Sequence, residues 1–186
     1  MPRTRAGVER AQKVDQILDA AETRLLAGGY GHMSIAAIAR DLGVAQNSLY
    51  WYFKSKDELF VAVLRRLLER LAATKPPAGH GLRQQVLWGV DYLHDFAPLR
   101  GVMRERAPRS AAVTAFEKEL SETLHGMLMH ALEPYVEDAH RELAAMTLMA
   151  TVEGTFVSDL STSERHRVVE FALQQITGGA SPPGLE

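Results

Sequence analysis

Gln46, Asn47, Tyr50 and Trp51 are the residues whose types and spacing point most directly to chemistry. At about 100° per residue they fall on one arc of a short helix, with Leu49 and Tyr52 on the other. The first arc is polar and aromatic and holds no carboxylate, which suits the floor of a DNA major groove. Side-chain amides of Gln and Asn pair bidentately with adenine, each good pair discriminating by about 1–3 kcal/mol. Tyr50 and Lys56 suit phosphate oxygens, which fix register without reading sequence. Ser34 can cap its helix and meet a phosphate at that positive helix end. Arg3 and Arg5, in a flexible arm, add backbone or minor-groove contacts.

Such an arc needs elements that hold it. Residues 34–53 read SIAAIARDLGVAQNSLYWYF, two short helices joined at a glycine, which is the helix-turn-helix pattern. Ala39 is small where the helices must approach, and Gly43 supplies the positive φ of the turn. Ile38, Leu42, Val44 and Leu49 stand at the inward positions. Phe53 is expected to plug the space against the first and fourth helices, whereas for Trp51 packing and DNA contact both remain open. Upstream, Val14, Ile17, Leu18, Ala21 and Leu25 recur at helical spacing over residues 10–27, and Gly28-Gly29 ends that helix. Downstream, Ser55 and Glu58 form a capping box. A fourth helix follows, with Leu59, Val63, Leu64, Leu67, Leu68 and Leu71 on one stripe.

The rest of the chain is also helical by pattern. Lys75-Pro76-Pro77-Ala78-Gly79 reads as a linker, since two prolines stop a helix and fix an extended path. Helices are expected at about 81–96, 98–106, 110–132, 138–160 and 163–177, with a second capping box at Ser161 and Glu164. From Thr177 the tail has too few apolar residues to pack. The predicted fold class is all-α, with about nine helices.

Composition narrows the function. The chain has 186 residues, no cysteine, 46% hydrophobic residues and a net charge of −2. Without cysteine, disulfides, thiolate nucleophiles and iron–sulfur ligation are excluded. The charge is uneven: residues 1–75 hold 12 Lys and Arg against 8 Asp and Glu, and residues 76–186 hold 9 against 15. A basic N-terminal part joined to an acidic C-terminal part confines a nucleic-acid contact to the former. Seven histidines are scattered without metal-ligand spacing, and no nucleophile elbow, Walker loop or dinucleotide fingerprint occurs. Neither an enzymatic activity nor a cofactor or metal is expected. With no signal peptide and no run of roughly 20 apolar residues, a cytoplasmic location and no membrane partner are expected.

The stretch GVAQNSLYWYFKSKDELF, with the Gly-Gly-Tyr-Gly-His-Met-Ser segment before it, resembles the DNA-binding region of TetR-type transcriptional repressors. The resemblance spans roughly residues 10–70. It implies DNA contacts from Ser34, Gln46, Asn47, Ser48, Tyr50, Tyr52 and Lys56, to which Trp51 and Lys54 are added as candidates. Ala45 departs from the pattern, since a Ser or Thr often caps the recognition helix there. Ala36 likewise cannot supply the base contact that an arginine provides in some members. The implied organisation is a helix-turn-helix domain at 1–55, a connecting helix at 56–75, a ligand-binding and dimerisation domain at 76–177, and a flexible tail at 178–186.

Within that C-terminal part, candidate ligand contacts fall on helical stripes that a plain core would also show. They are Trp88, Tyr92 and Phe96; then Arg100 and Met103; then Phe116, Leu120 and Met127; then Met149, Glu153 and Phe156. Arg100 and Arg104 share a face that suits an anionic ligand or solvent. Glu153 suits a cationic ligand, a local arginine or water. Val168, Val169, Ala172, Leu173 and Ile176 give the last helix an apolar face suited to a homodimer. The function implied is a palindrome-binding repressor released by a largely apolar small molecule. The alternatives are a regulator without an inducer and a helical small-molecule binder that has lost DNA binding.

Overall fold

A computed structural model describes residues 5–73 and 81–178, which hold nine α-helices, one 3₁₀ turn and no strand. The linker at 75–79, Arg3 and the tail beyond Gly178 lie outside the described residues. The helices are α1 (Arg5–His32), α2 (Ile35–Asp41), α3 (Gln46–Tyr50), α4 (Lys56–Ala73) and α5 (Leu82–Asp95). They continue as α6 (Ala97–Arg106), α7 (Ala111–Leu132), α8 (Asp138–Val157) and α9 (Thr162–Thr177), with the 3₁₀ turn Ala107–Arg109 before α7. No helix of the described residues is long and apolar enough to cross a membrane.

The helices form two compact units. One holds α1 to α4 together with residues 98–117; the other holds the described residues among 75–97 and 118–186. Residues 98–117, expected in the C-terminal domain, thus pack with the helix-turn-helix. In the first unit α1 lies against α4. Ile17, Ala21 and Leu25 on α1 and Leu59, Phe60 and Val63 on α4 are almost fully buried. Arg66 of α4 fixes the pair by reaching Asp19 at 2.8 Å and Glu22 at 2.7 Å on α1.

Helical dihedrals in α1 break at Gly28 and Gly29, where Gly29 takes φ 72°, so the expected end is a kink followed by the short turn Tyr30–His32. Arg5, expected in an arm, opens α1 instead. The second unit is built on Leu82, Val86 and Val90 of α5, Ala145 and Leu148 of α8, and Val169 and Leu173 of α9. Its capping box is complete: the amide of Glu164 donates to the Ser161 hydroxyl and the amide of Ser161 to the Glu164 carboxylate.

Candidate nucleic-acid interface

The reading head begins at Ser34. Its extended backbone precedes α2, and its hydroxyl accepts the Ala37 amide at 3.1 Å. Ile38 and Ala39 turn inward and are buried. The turn then closes tightly: the amide of Gly43 donates to Arg40 and that of Val44 to the Ala39 carbonyl, with Gly43 at φ 63°. A side chain seldom tolerates that conformation, so the glycine is required by the turn. Arg24 on α1 holds the end of α2 by pairing with both oxygens of Asp41.

On α3 the buried and exposed arcs separate cleanly. Leu49 is 1% exposed, and Phe53 just beyond the helix is buried, as a plug requires. Gln46, Asn47 and Tyr50 are exposed, and Ser48 and Tyr52 are half-buried. The amide of Gln46 reaches the Tyr50 hydroxyl at 3.5 Å, one turn along. Trp51 is 84% exposed and ends the helix, so it does not serve the core. Ala45 precedes α3 in extended conformation and offers no side-chain cap.

The capping box at α4 is offset. Glu58 donates its amide to Ser55 at 3.1 Å, but its carboxylate accepts from the amide of Lys54 at 2.7 Å. That bond fixes the loop carrying Lys54, whose side chain is exposed. Lys56 is placed differently. It is half-buried with its ammonium 4.0 Å over the Tyr30 ring. Burial holds its pKa below the ordinary lysine value, and the nearby Arg106 charge adds to this.

Beneath Lys56 lies a group that sequence reasoning missed. Asp57 is 7% exposed. Its carboxylate accepts the Tyr30 hydroxyl at 2.5 Å and the Arg106 guanidinium at 3.1 Å and 2.8 Å. The hydrogen bonds from Arg106 hold the Asp57 carboxyl below its usual pKa, against the opposing effect of burial. Burial, and then the bond to Asp57, push the Tyr30 phenol up. Tyr30 also packs edge-on against Phe60 at 5.1 Å. The sequence signal was slight: Tyr30 sits in the glycine-rich segment and Asp57 inside the capping box, but nothing local marks Arg106 as their partner.

The ligand candidates do not form one group. Trp88 and Tyr92 on α5 and Phe96 at its C-cap make a half-buried ladder, with ring centroids 5.9 Å and 4.8 Å apart. Phe156 of α8 stacks on His94 at 6.2 Å. Met149 is half-buried and Glu153 exposed on the same helix. Arg100, Met103 and Phe116 belong to the first unit instead. There Met103 and Phe116 are buried core residues, and the Arg65 guanidinium lies 5.4 Å from the Phe116 ring. Leu120 is half-buried, while Met127 is 60% exposed.

The apolar face expected on α9 also divides. Val169 and Leu173 are buried in the core of their unit, with Ile176 packed against it. They hold α9 to α5 and α8 and are not available to a second chain. Val168 remains exposed and Ala172 is half-buried; Phe171, which was not anticipated, is 65% exposed.

Comparison with known proteins bears on the helix-turn-helix region. Residues 17–63 match the model of the bacterial regulatory proteins of the tetR family. The fatty acid metabolism regulator protein of Bacillus subtilis is 32% identical over 57 residues, which are 31% of this chain and 29% of that protein. This chain therefore aligns with under a third of that relative's length. A transcriptional regulator from Rhodococcus sp. Rha1 superposes with a TM-score of 0.71 at 19% identity, covering 91% of this chain and 99% of that one. A TetR transcription regulator from Haloarcula marismortui superposes with a TM-score of 0.70 at 21% identity, covering 90% and 98%. The solved structures share the fold over nearly the whole chain, and the motif match falls on the helices that present Gln46, Asn47 and Tyr50. Residues 17–63 of this chain thus match the helix-turn-helix region of the bacterial regulatory proteins of the tetR family.

Proposed function

We propose that this protein is a cytoplasmic, homodimeric transcriptional repressor that binds a palindromic operator and is released by a small, largely apolar molecule held by its C-terminal helices. The observation that carries the reading is the split of α3. Leu49 anchors the helix while Gln46, Asn47 and Tyr50 stand exposed with no carboxylate among them. Ser34, Ser48, Tyr52, Lys54 and Lys56 surround that arc in the sequence and are assigned to the phosphate backbone.

Exposed apolar side chains support the dimer. Leu143, Met146 and Val157 on α8 and Val168 and Phe171 on α9 are uncovered in one chain, and the two helices pack together. A second copy covers them by two-fold symmetry, which sets two reading heads about one DNA turn, roughly 34 Å, apart. The aromatic ladder on α5 is the assigned ligand surface. Release requires that the ligand prefer one conformer, with coupling of about 1–3 kcal/mol. Within the first unit, a displacement of α6 reaches α4 through Arg106 and Asp57.

Selection from genomic fragments tests this reading. The expected product is a palindrome, and Gln46→Ala with Asn47→Ala abolishes preference for it while salt-dependent binding persists. Recovery of no palindrome overturns the reading and favours a small-molecule binder without DNA activity, which the uncapped Ala45 supports. Equal operator affinity at zero and saturating effector overturns release by a ligand.

A further inference from the structure

Asp57 follows Lys56 in the chain, but its carboxylate is 7% exposed and turns to Arg106, a residue outside the matched segment 17–63. Tyr30 is common to all three. Its ring carries the Lys56 ammonium at 4.0 Å and the Arg106 guanidinium at 5.5 Å, and its hydroxyl donates to Asp57 at 2.5 Å. All four residues belong to the first unit. Two cations and one buried carboxylate therefore meet on one phenol. Lys56 responds to both charged neighbours: burial first, and then Arg106, hold its pKa down against the opposing effect of Asp57. Charges at such a half-buried site interact several-fold more strongly than in bulk water.

A buried carboxylate needs a countercharge. Arg106 supplies it through hydrogen bonds at 3.1 Å and 2.8 Å. Without Arg106 the carboxylate would keep the hydroxyls of Tyr30 and Ser110, which donate hydrogen bonds but carry no charge. The Lys56 ammonium would then be the cation on the same ring, on a flexible stem that lets it turn to Asp57. An ammonium committed to Asp57 is lost to a phosphate. We infer that Arg106 is a positioning residue for DNA binding: by neutralising Asp57 it keeps the Lys56 ammonium available to a duplex phosphate, without touching the duplex itself. Asp57 is thereby a competitor of the phosphate, held off by one guanidinium. The inference rests on the DNA-binding reading above and makes duplex affinity depend on a side chain of α6.

Fluorescence anisotropy with a labelled duplex of random sequence, titrated with salt, tests it at a temperature where circular dichroism shows each variant folded. Arg106→Ala is expected to weaken binding on the order of tenfold, the size of one charge-assisted hydrogen bond. It should also lower the slope of log affinity against log salt by about one. Lys56→Ala should show the same two changes, and adding Arg106→Ala to it should change neither further. Arg106→Lys, which keeps the charge, should retain most of the affinity. Should Arg106→Ala not fold, Arg106→Gln takes its place with the same expectation. The discriminating protein is Arg106→Ala with Asp57→Asn. With no carboxylate to capture Lys56, its affinity and salt slope are expected to return close to the wild-type values, although its melting temperature does not. A double variant that binds as weakly as Arg106→Ala makes Arg106 a direct phosphate contact or a purely structural residue, and overturns the inference. So does unchanged binding by Arg106→Ala. If the wild type shows no salt-dependent duplex binding, the DNA-binding reading fails first and this inference falls with it.

Discussion

Arg106, at the last residue of α6, grips Asp57, in the first turn of α4, through both carboxylate oxygens, and Tyr30 donates to one of the same oxygens. One buried carboxylate thereby joins three elements of the first unit. Asp57→Asn keeps the shape and removes the charge. It is expected to lower the stability of this unit by about 1–3 kcal/mol, the usual magnitude for hydrogen bonds to charged groups. Arg106→Ala is expected to cost at least as much, because it leaves a buried carboxylate with too few donors. The double variant should cost less than the two single losses combined. Thermal denaturation of the four proteins checks this, and additive losses would deny the coupling.

Asp57 also sets an acid limb. Its folded pKa lies below that of a free aspartate because Arg106 and Tyr30 donate to the ionised form. The stability it adds is present above the ordinary carboxylate pKa of about 4 and is lost as pH falls through the lower folded value. Denaturant midpoints measured from neutral pH downward should fall more steeply below about pH 4 in the wild type than in Asp57→Asn. Parallel curves would show that other carboxylates govern acid unfolding.

Ala45 leaves α3 without a side-chain cap, although its extended backbone is the conformation a cap residue adopts. Ala45→Ser is expected to stabilise the protein by about 1 kcal/mol. A serine at this site also adds a hydroxyl beside the exposed arc, so duplex affinity should rise rather than fall. A melting temperature at or below that of the wild type would show that the short helix gains nothing from its cap.

Phe171 separates the two faces of α9. It is exposed, whereas Val169 and Leu173 are buried in the core. Phe171→Glu is expected to give a folded monomer by sedimentation, with near-native melting. Leu173→Ala is expected to lower stability by about 2–5 kcal/mol through a core cavity. A Phe171→Glu protein that sediments as the wild type does would overturn the proposed dimer contact.

What the sequence revealed was local. The helix-turn-helix is specified within 20 residues, by the Ser34 cap, the small Ala39, the Gly43 turn and the inward Leu49, and each lies where its type requires. What it concealed depends on distant partners. Asp57 meets Arg106 from 49 residues away, and no periodicity announces such a pair. The apolar residues of α9 cover so much of the helix that spacing alone cannot say which side packs on α5. Phe116 shows the same effect, since its stripe suited a ligand wall but its ring is buried beside Arg65 in the first unit.

The turn at Gly43 has a consequence for its chirality. The backbone is left-handed there, yet a side-chain carbon built at this position would meet no atom within 4 Å. An L side chain therefore has ample space there, and only handedness demands glycine. An L-alanine at this site is strained by its own backbone. Its mirror image is at ease with positive φ. A chain assembled by chemical ligation with D-alanine at position 43 should keep the reading head intact. It should also fold from a less disordered ensemble, gaining about 0.4–1 kcal/mol by the same entropy that makes glycine costly.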